Sequence, residues 1–164
     1  MSDWKEVLGT VINKRPEEVA RNTNAISKKE DGKKVPEFFT DDDYVSRAEK
    51  CMKNLGEVNY RNKNKRNYHD LTSSQMRNLF ALVTRVYNTK VLASKPITPA
   101  DIGSIKVRMV YEAGRKADVE RFLSSSELLT GLDYIGMDKD RFLRYERYME
   151  ALVAYHYYYN SSKD

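Results

Sequence analysis

An all-α fold is expected from three features of the chain. Apolar residues recur at three- and four-residue spacing in one segment after another. Strong helix-start signals, Thr72 with Gln75 and Thr98-Pro99 with Asp101, stand directly before two such segments. No segment alternates apolar and polar residues convincingly at period two, and the hairpin-type dipeptide Asp31-Gly32 stands in polar surroundings. The expected architecture is a compact helical bundle of about five core helices with an extra N-terminal helical extension.

Trp4, Val7, Leu8, Val11 and Ile12 form one apolar stripe, an amphipathic helix that Arg15 and Pro16 end. Residues 22–36 are polar, contain Gly32, close on Pro36, and predict a flexible linker. Residues 1–39 are thus expected as an N-terminal helix plus linker, and residues 40–164 as the main helical domain. Thr40 is expected to cap a helix over 41–54, with Asp41, Asp42 and Asp43 favoured in its first turn by the helix dipole and Gly56 as its stop.

The capping pattern at Thr72 and Gln75 opens a helix over 72–89, with Met76, Leu79, Phe80, Val83, Val86 and Tyr87 inward. Thr98, Pro99 and Asp101 open a helix over 99–113 that turns Ile102, Ile105, Met109, Val110 and Ala113 to the core and stops at Gly114. Asp118 and Glu120 begin the next, with Val119, Phe122, Leu123, Leu128 and Leu129 inward. Asp138 caps the last and longest, over 139–159, which buries Phe142, Tyr145, Met149, Leu152, Val153 and His156 and turns Arg144, Glu146 and Arg147 outward.

At 164 residues and 40% hydrophobic content the chain is one domain of ordinary size with enough apolar side chains for a core. Its net charge of +5 is uneven: counting Lys and Arg against Asp and Glu, residues 1–43 carry −2, residues 44–70 carry +4 and residues 71–164 carry +3. That concentration suits a polyanionic partner. No apolar run approaches the roughly 18 residues of a membrane span, and no signal-peptide stretch opens the chain. With Cys51 as the only cysteine there is no intrachain disulfide, and a reducing, cytoplasmic setting is expected.

The charge peaks where the chemistry is densest. Arg61, Lys63, Lys65 and Arg66 lead into Thr72, Ser73 and Ser74, followed by Arg77 and Asn78 on the outward side of the helix. A helix N-terminus carries unpaired N–H groups and roughly +0.5 charge, so with nearby cations and hydroxyls it favours phosphate. The plainer alternative is that the hydroxyls cap and the cations solvate a loop. Elsewhere, Glu112 and Arg115 are spaced for a helical ion pair, and Arg115 could also neutralise a helix end. Tyr155, Tyr157, Tyr158 and Tyr159 spread around the last helix, for base stacking or for a protein interface. His156 lies on the apolar stripe and reads as a core group. Glu146 and Glu150 lack the Glu-x-x-His arrangement of di-iron bundles, so neither a metal nor another cofactor is expected.

Three blocks, LTSSQMRNLFALVTRVYN at 71–88, KVRMVYEAGRKADVERFL at 106–123 and RFLRYERYMEALVAYHYYY at 141–159, resemble the small-subunit family of the type III-A CRISPR effector, the Csm complex. The resemblance covers most of residues 71–159; its most distinctive parts are YEAGR and YMEALVAYH, and Gln75 stands where family members often carry Lys. It implies a helical subunit without catalytic activity, stacked in copies head to tail beside the crRNA-bearing backbone. Implied partners are crRNA, target RNA, the backbone and large signature subunits, and further copies of the chain. Target RNA cleavage would belong to the backbone subunit, and DNA degradation and cyclic oligoadenylate synthesis to the large one. The implied RNA-facing surface maps onto Lys63, Lys65, Arg66, Ser73, Ser74, Arg77, Arg115 and Lys116, and residues 40–164 become an RNA-binding and assembly domain.

Two other classes compete. A small helical ribonuclease would use His69 as general base with Lys65 or Arg66, but the sequence supplies neither an acid–base pair nor a carboxylate cluster for two metals. A DNA-binding regulator would use the helices at 41–54 and 72–89, but their connection is longer than a helix-turn-helix allows.

Overall fold

A computed structural model of the chain describes residues 32, 34–40, 42–61 and 71–161. The helix expected over Trp4–Ile12 and the residues Lys63, Lys65, Arg66 and His69 lie outside them. The described residues form seven α-helices and one π-helical segment, without strands: α1 Glu37–Thr40, α2 Tyr44–Arg61, α3 Ser73–Val86, the π segment Tyr87–Leu92, α4 Pro99–Arg115, α5 Ala117–Ser125, α6 Leu128–Ile135 and α7 Lys139–Ser161. The all-α expectation holds.

α7 is the organising element, packing against α1, α2, α3, the π segment and α6, while α4 packs against α3, α5 and α6. From α7, Phe142, Tyr145, Tyr148, Met149, Leu152 and His156 are buried, whereas Val153, expected inward, is half-buried. Tyr145 is fully buried and donates its hydroxyl to the Leu128 carbonyl at 3.1 Å, so its one strongly polar atom is satisfied. Gly131 in α6 makes this packing possible: a Cβ there would stand 2.7 Å from the Phe38 ring and 2.9 Å from Tyr145.

The capping box expected at Thr72 and Gln75 is present, and the expected Thr98 N-cap is also a full box with Asp101. Gln75 N donates to Thr72 Oγ1 at 3.2 Å while Thr72 N donates to Gln75 Oε1 at 2.7 Å. Asp101 N donates to Thr98 Oγ1 at 3.3 Å and Thr98 N to Asp101 Oδ2 at 2.8 Å. Each such cap is worth about 1 kcal/mol. Asp138 also caps as expected, its Oδ1 accepting from Arg141 N at 2.8 Å.

Several expected boundaries move. Asp43, not Thr40, caps α2 by accepting from Ser46 N at 3.0 Å, because residues 37–40 already form the short helix α1. Gly56 does not stop α2, which continues through it to Arg61, and Gly114 does not stop α4, which ends one residue later at Arg115. An interior glycine costs a helix only about 1 kcal/mol, so neighbouring turns carry it. Val110 is exposed rather than inward. The helix expected from Asp118 through Leu129 is two helices, broken where Glu127 takes φ 56°. Finally, Phe38, from the segment assigned to the linker side, is 1% exposed and stacks on Tyr148 at 4.1 Å. Lys34 reaches Glu127 at 2.6 Å and Glu37 pairs with Arg47.

Candidate nucleic-acid interface

The start of α3 is held from below. Leu71 is buried, and its carbonyl accepts from His156 Nε2 of α7 at 2.8 Å, which fixes the backbone immediately before the Thr72 cap. The inward face, Met76, Leu79, Val83 and Val86, is buried. What remains outward is a stripe: Ser74, Arg77, Asn78, Ala81 and Arg85 are all exposed. At 100° per residue these five fall within one narrow sector, running roughly 16 Å along the helix.

The capping box determines what this helix end can offer. Thr72 Oγ1 accepts from Gln75 N and donates to Gln75 Oε1 at 3.0 Å, so the Thr72 hydroxyl serves the cap. Because the box takes the N–H groups of Thr72 and Gln75, the donors α3 can turn toward an anion are those of Ser73 and Ser74, backbone and hydroxyl. Ser74 is exposed and Ser73 half-buried. The arrangement can accept phosphate oxygens at the helix end and a second phosphate farther along, at Arg77.

The remaining candidates sit on other elements. Arg61 is the last residue of α2. Arg115 and Lys116 are exposed at the α4–α5 junction. Lys116 N closes α4 by donating to the Glu112 carbonyl at 3.0 Å, and the Arg115 guanidinium lies 5.4 Å from the centre of the Tyr111 ring. Arg115 thus stands beside an exposed aromatic of its own helix. Arg85 was not singled out in the sequence, although its spacing of eight from Arg77 is the signal that finds it.

Two of the described groups that could do chemistry, His156 and Cys51, sit in or against the core. His156 is fully buried, and burial holds its imidazole below the ordinary range against the opposing pull of the Leu71 hydrogen bond. Burial pushes the Cys51 thiol up to about 12, far from a reactive thiolate. Among the described residues no group of three or more His, Cys, Asp or Glu is placed to hold a metal ion, and no helix is long and apolar enough to cross a membrane.

Known sequences match this chain over the same elements. The profile of the family Csm2 Type III-A matches residues 45–162, which takes in α2 and the basic segment as well as the blocks from 71 onward. The CRISPR system Cms protein Csm2 of Mycobacterium tuberculosis (strain CDC 1551 / Oshkosh) is 35% identical over 121 residues, 71% of this chain and 91% of that protein. The protein of the same name from Streptococcus thermophilus is 35% identical over 122 residues, 74% of this chain and 95% of its own length. That from Enterococcus italicus is 35% identical over 99 residues, 56% of this chain and 70% of its own length. With the family profile spanning α2 through α7 and two of these relatives matched over more than nine-tenths of their length, the chain belongs to the Csm2 family of type III-A CRISPR systems.

Proposed function

We propose that this chain is the non-catalytic, RNA-holding small subunit of a type III-A Csm effector, gripping the sugar-phosphate backbone of crRNA or target RNA. The observation that carries the reading is the outward stripe Ser74–Arg77–Asn78–Ala81–Arg85 on a helix capped at one end and buried along the other face. In sequence, Lys63, Lys65 and Arg66 stand between Arg61 at the end of α2 and Ser73 at the start of α3. Arg115 and Lys116, exposed at the α4–α5 junction, are included in the proposed RNA-facing set.

Where base pairing between guide and target reads sequence, a holding subunit needs only phosphate and sugar contacts, which hydroxyls, helix ends and cations supply. If one copy neutralises about three phosphates, log affinity falls about two units per tenfold rise in salt, and stacked copies bind more tightly through avidity. In this reading the folded RNA-binding and assembly unit begins before Phe38, and the segment preceding it is an appendage.

The test is recovery of a tagged copy together with its partners. crRNA and the other Csm subunits should come with it, and Arg77→Glu should lower RNA recovery while leaving the melting temperature unchanged. Unaltered RNA recovery would remove α3 from the interface. RNA cleavage by the purified chain, lost on His69→Ala, would replace this function with a ribonuclease.

A further inference from the structure

A second basic feature lies away from α3, in a hollow of about 370 Å³ between α1, α6 and the first turns of α7. Its wall is a row of arginines at three-residue spacing, Arg141, Arg144 and Arg147, and its floor is aromatic, with Phe39 and Tyr134 in contact at 4.8 Å between ring centres. Two of the arginines are held in place by backbone. Arg141 Nη1 donates to the Tyr134 carbonyl at 3.1 Å with its guanidinium 4.2 Å over the Tyr134 ring. Arg144 Nε donates to the Phe38 carbonyl at 3.1 Å. Arg147 is exposed. Among the described residues, Asp140 in the lining and Asp42, 3.8 Å from Arg144, stand against these three cations.

All three cations are arginine, and that choice is informative. A guanidinium is planar, binds phosphate oxygens through paired N–H groups and stacks on flat rings, where an ammonium does only the first and without directional pairing. Cationic walls over an aromatic floor match a nucleotide, whose phosphate and base need different surfaces a short distance apart. An acidic peptide would use the wall and leave the rings idle. The volume is at the small end of ligand sites.

We infer that this hollow receives one nucleotide of a single-stranded RNA, its phosphate against Arg144 and Arg147 and its base against Tyr134, Phe39 and the plane of Arg141. The site is built from elements other than α3, so a strand would be gripped at two separate places on one subunit. The inference rests on the RNA-holding function, and its test separates the two.

Full-length chain is titrated with a 4-thiouridine-substituted single-stranded RNA at low salt, then irradiated, and the crosslinked peptides are mapped. Expected are crosslinks to peptides carrying Phe39 or Tyr134. Arg147→Glu, an exposed change that should keep the parent melting temperature, should weaken binding about tenfold and flatten the salt dependence by about 0.7 log unit per phosphate lost. Arg141→Lys, which keeps the charge but not the plane, should lose the Tyr134 crosslink while binding falls less. Parent-like binding by Arg147→Glu, with the Lys63/Lys65/Arg66 triple alanine variant impaired, would dismiss the hollow and leave the RNA-holding function standing. Absence of RNA binding by the parent chain would dismiss both. Parent-like RNA binding by Arg147→Glu with lost self-association would hand the hollow to a protein partner, and displacement by a free nucleoside monophosphate without any strand contact would make it a small-molecule site; either overturns the inference.

Discussion

Gly131 is where a single atom matters most. Replacing it by alanine improves intrinsic helix propensity by about 1 kcal/mol, yet the added methyl would press on Phe38 and Tyr145 at 2.7 and 2.9 Å. Overpacking costs about 1–3 kcal/mol, so the clash should win, and thermal unfolding of Gly131→Ala should show a lower midpoint than the parent. His156 supplies a pH dependence. Its folded-state pKa is depressed by burial, so the neutral form is the one the fold favours. The corresponding stability is present above the ordinary value of 6.5 and is lost as pH falls through the lower folded value. Denaturant midpoints should therefore drop on acidification below pH 6.5, and His156→Leu, though less stable at neutral pH, should show a shallower drop. An unchanged acid slope would show that other groups carry it.

Among the helices, the starts of α3 and α4 are legible locally, whereas the Thr40 cap is displaced to Asp43 by the short helix α1. The boxes at Thr72–Gln75 and Thr98–Asp101 involve residues three apart, and their hydrogen bonds form as the pattern implies. The expected stops at Gly56 and Gly114 fail because helix ends depend on the turns beyond, where packing outweighs a small local penalty. The π segment Tyr87–Leu92 and the break at Glu127 carry no periodic signature and depend on what α3 and α6 meet in three dimensions. The same distinction governs the sites. The outward placement of Arg77 and Asn78 is legible from periodicity alone. The arginine hollow is not, since Phe39, Tyr134 and Arg141 are brought together only by the fold. Arg144, expected on an outer face, instead grips the Phe38 carbonyl. At this scale Thr72→Ala should cost about 1 kcal/mol of stability by opening the cap, measurable as a lower denaturant midpoint. A neutral result would mean that His156 and Leu71 hold the α3 start without it.

The molecule as a whole is a helical block around α7 with its described cationic surface spread over α3, the α4–α5 junction and the start of α7. Phe38 on Tyr148 and Glu37 on Arg47 tie the residues just before α2 into that block. Removing residues 1–36 should therefore leave a folded protein that still buries Phe38, with helical circular dichroism per residue no lower than that of the parent; extending the deletion through Phe39 should lower the melting temperature further. Loss of folding in the shorter deletion would place part of the N-terminal segment in the core.

By the proposed function, this block holds RNA by its phosphates. The most direct measurement is the affinity of the full-length chain for two unrelated single-stranded RNAs of equal length, followed across a range of salt concentrations. Equal affinities that fall together, by about two log units per tenfold salt, are predicted for about three neutralised phosphates. A marked preference for one sequence, or an affinity indifferent to salt, would contradict it.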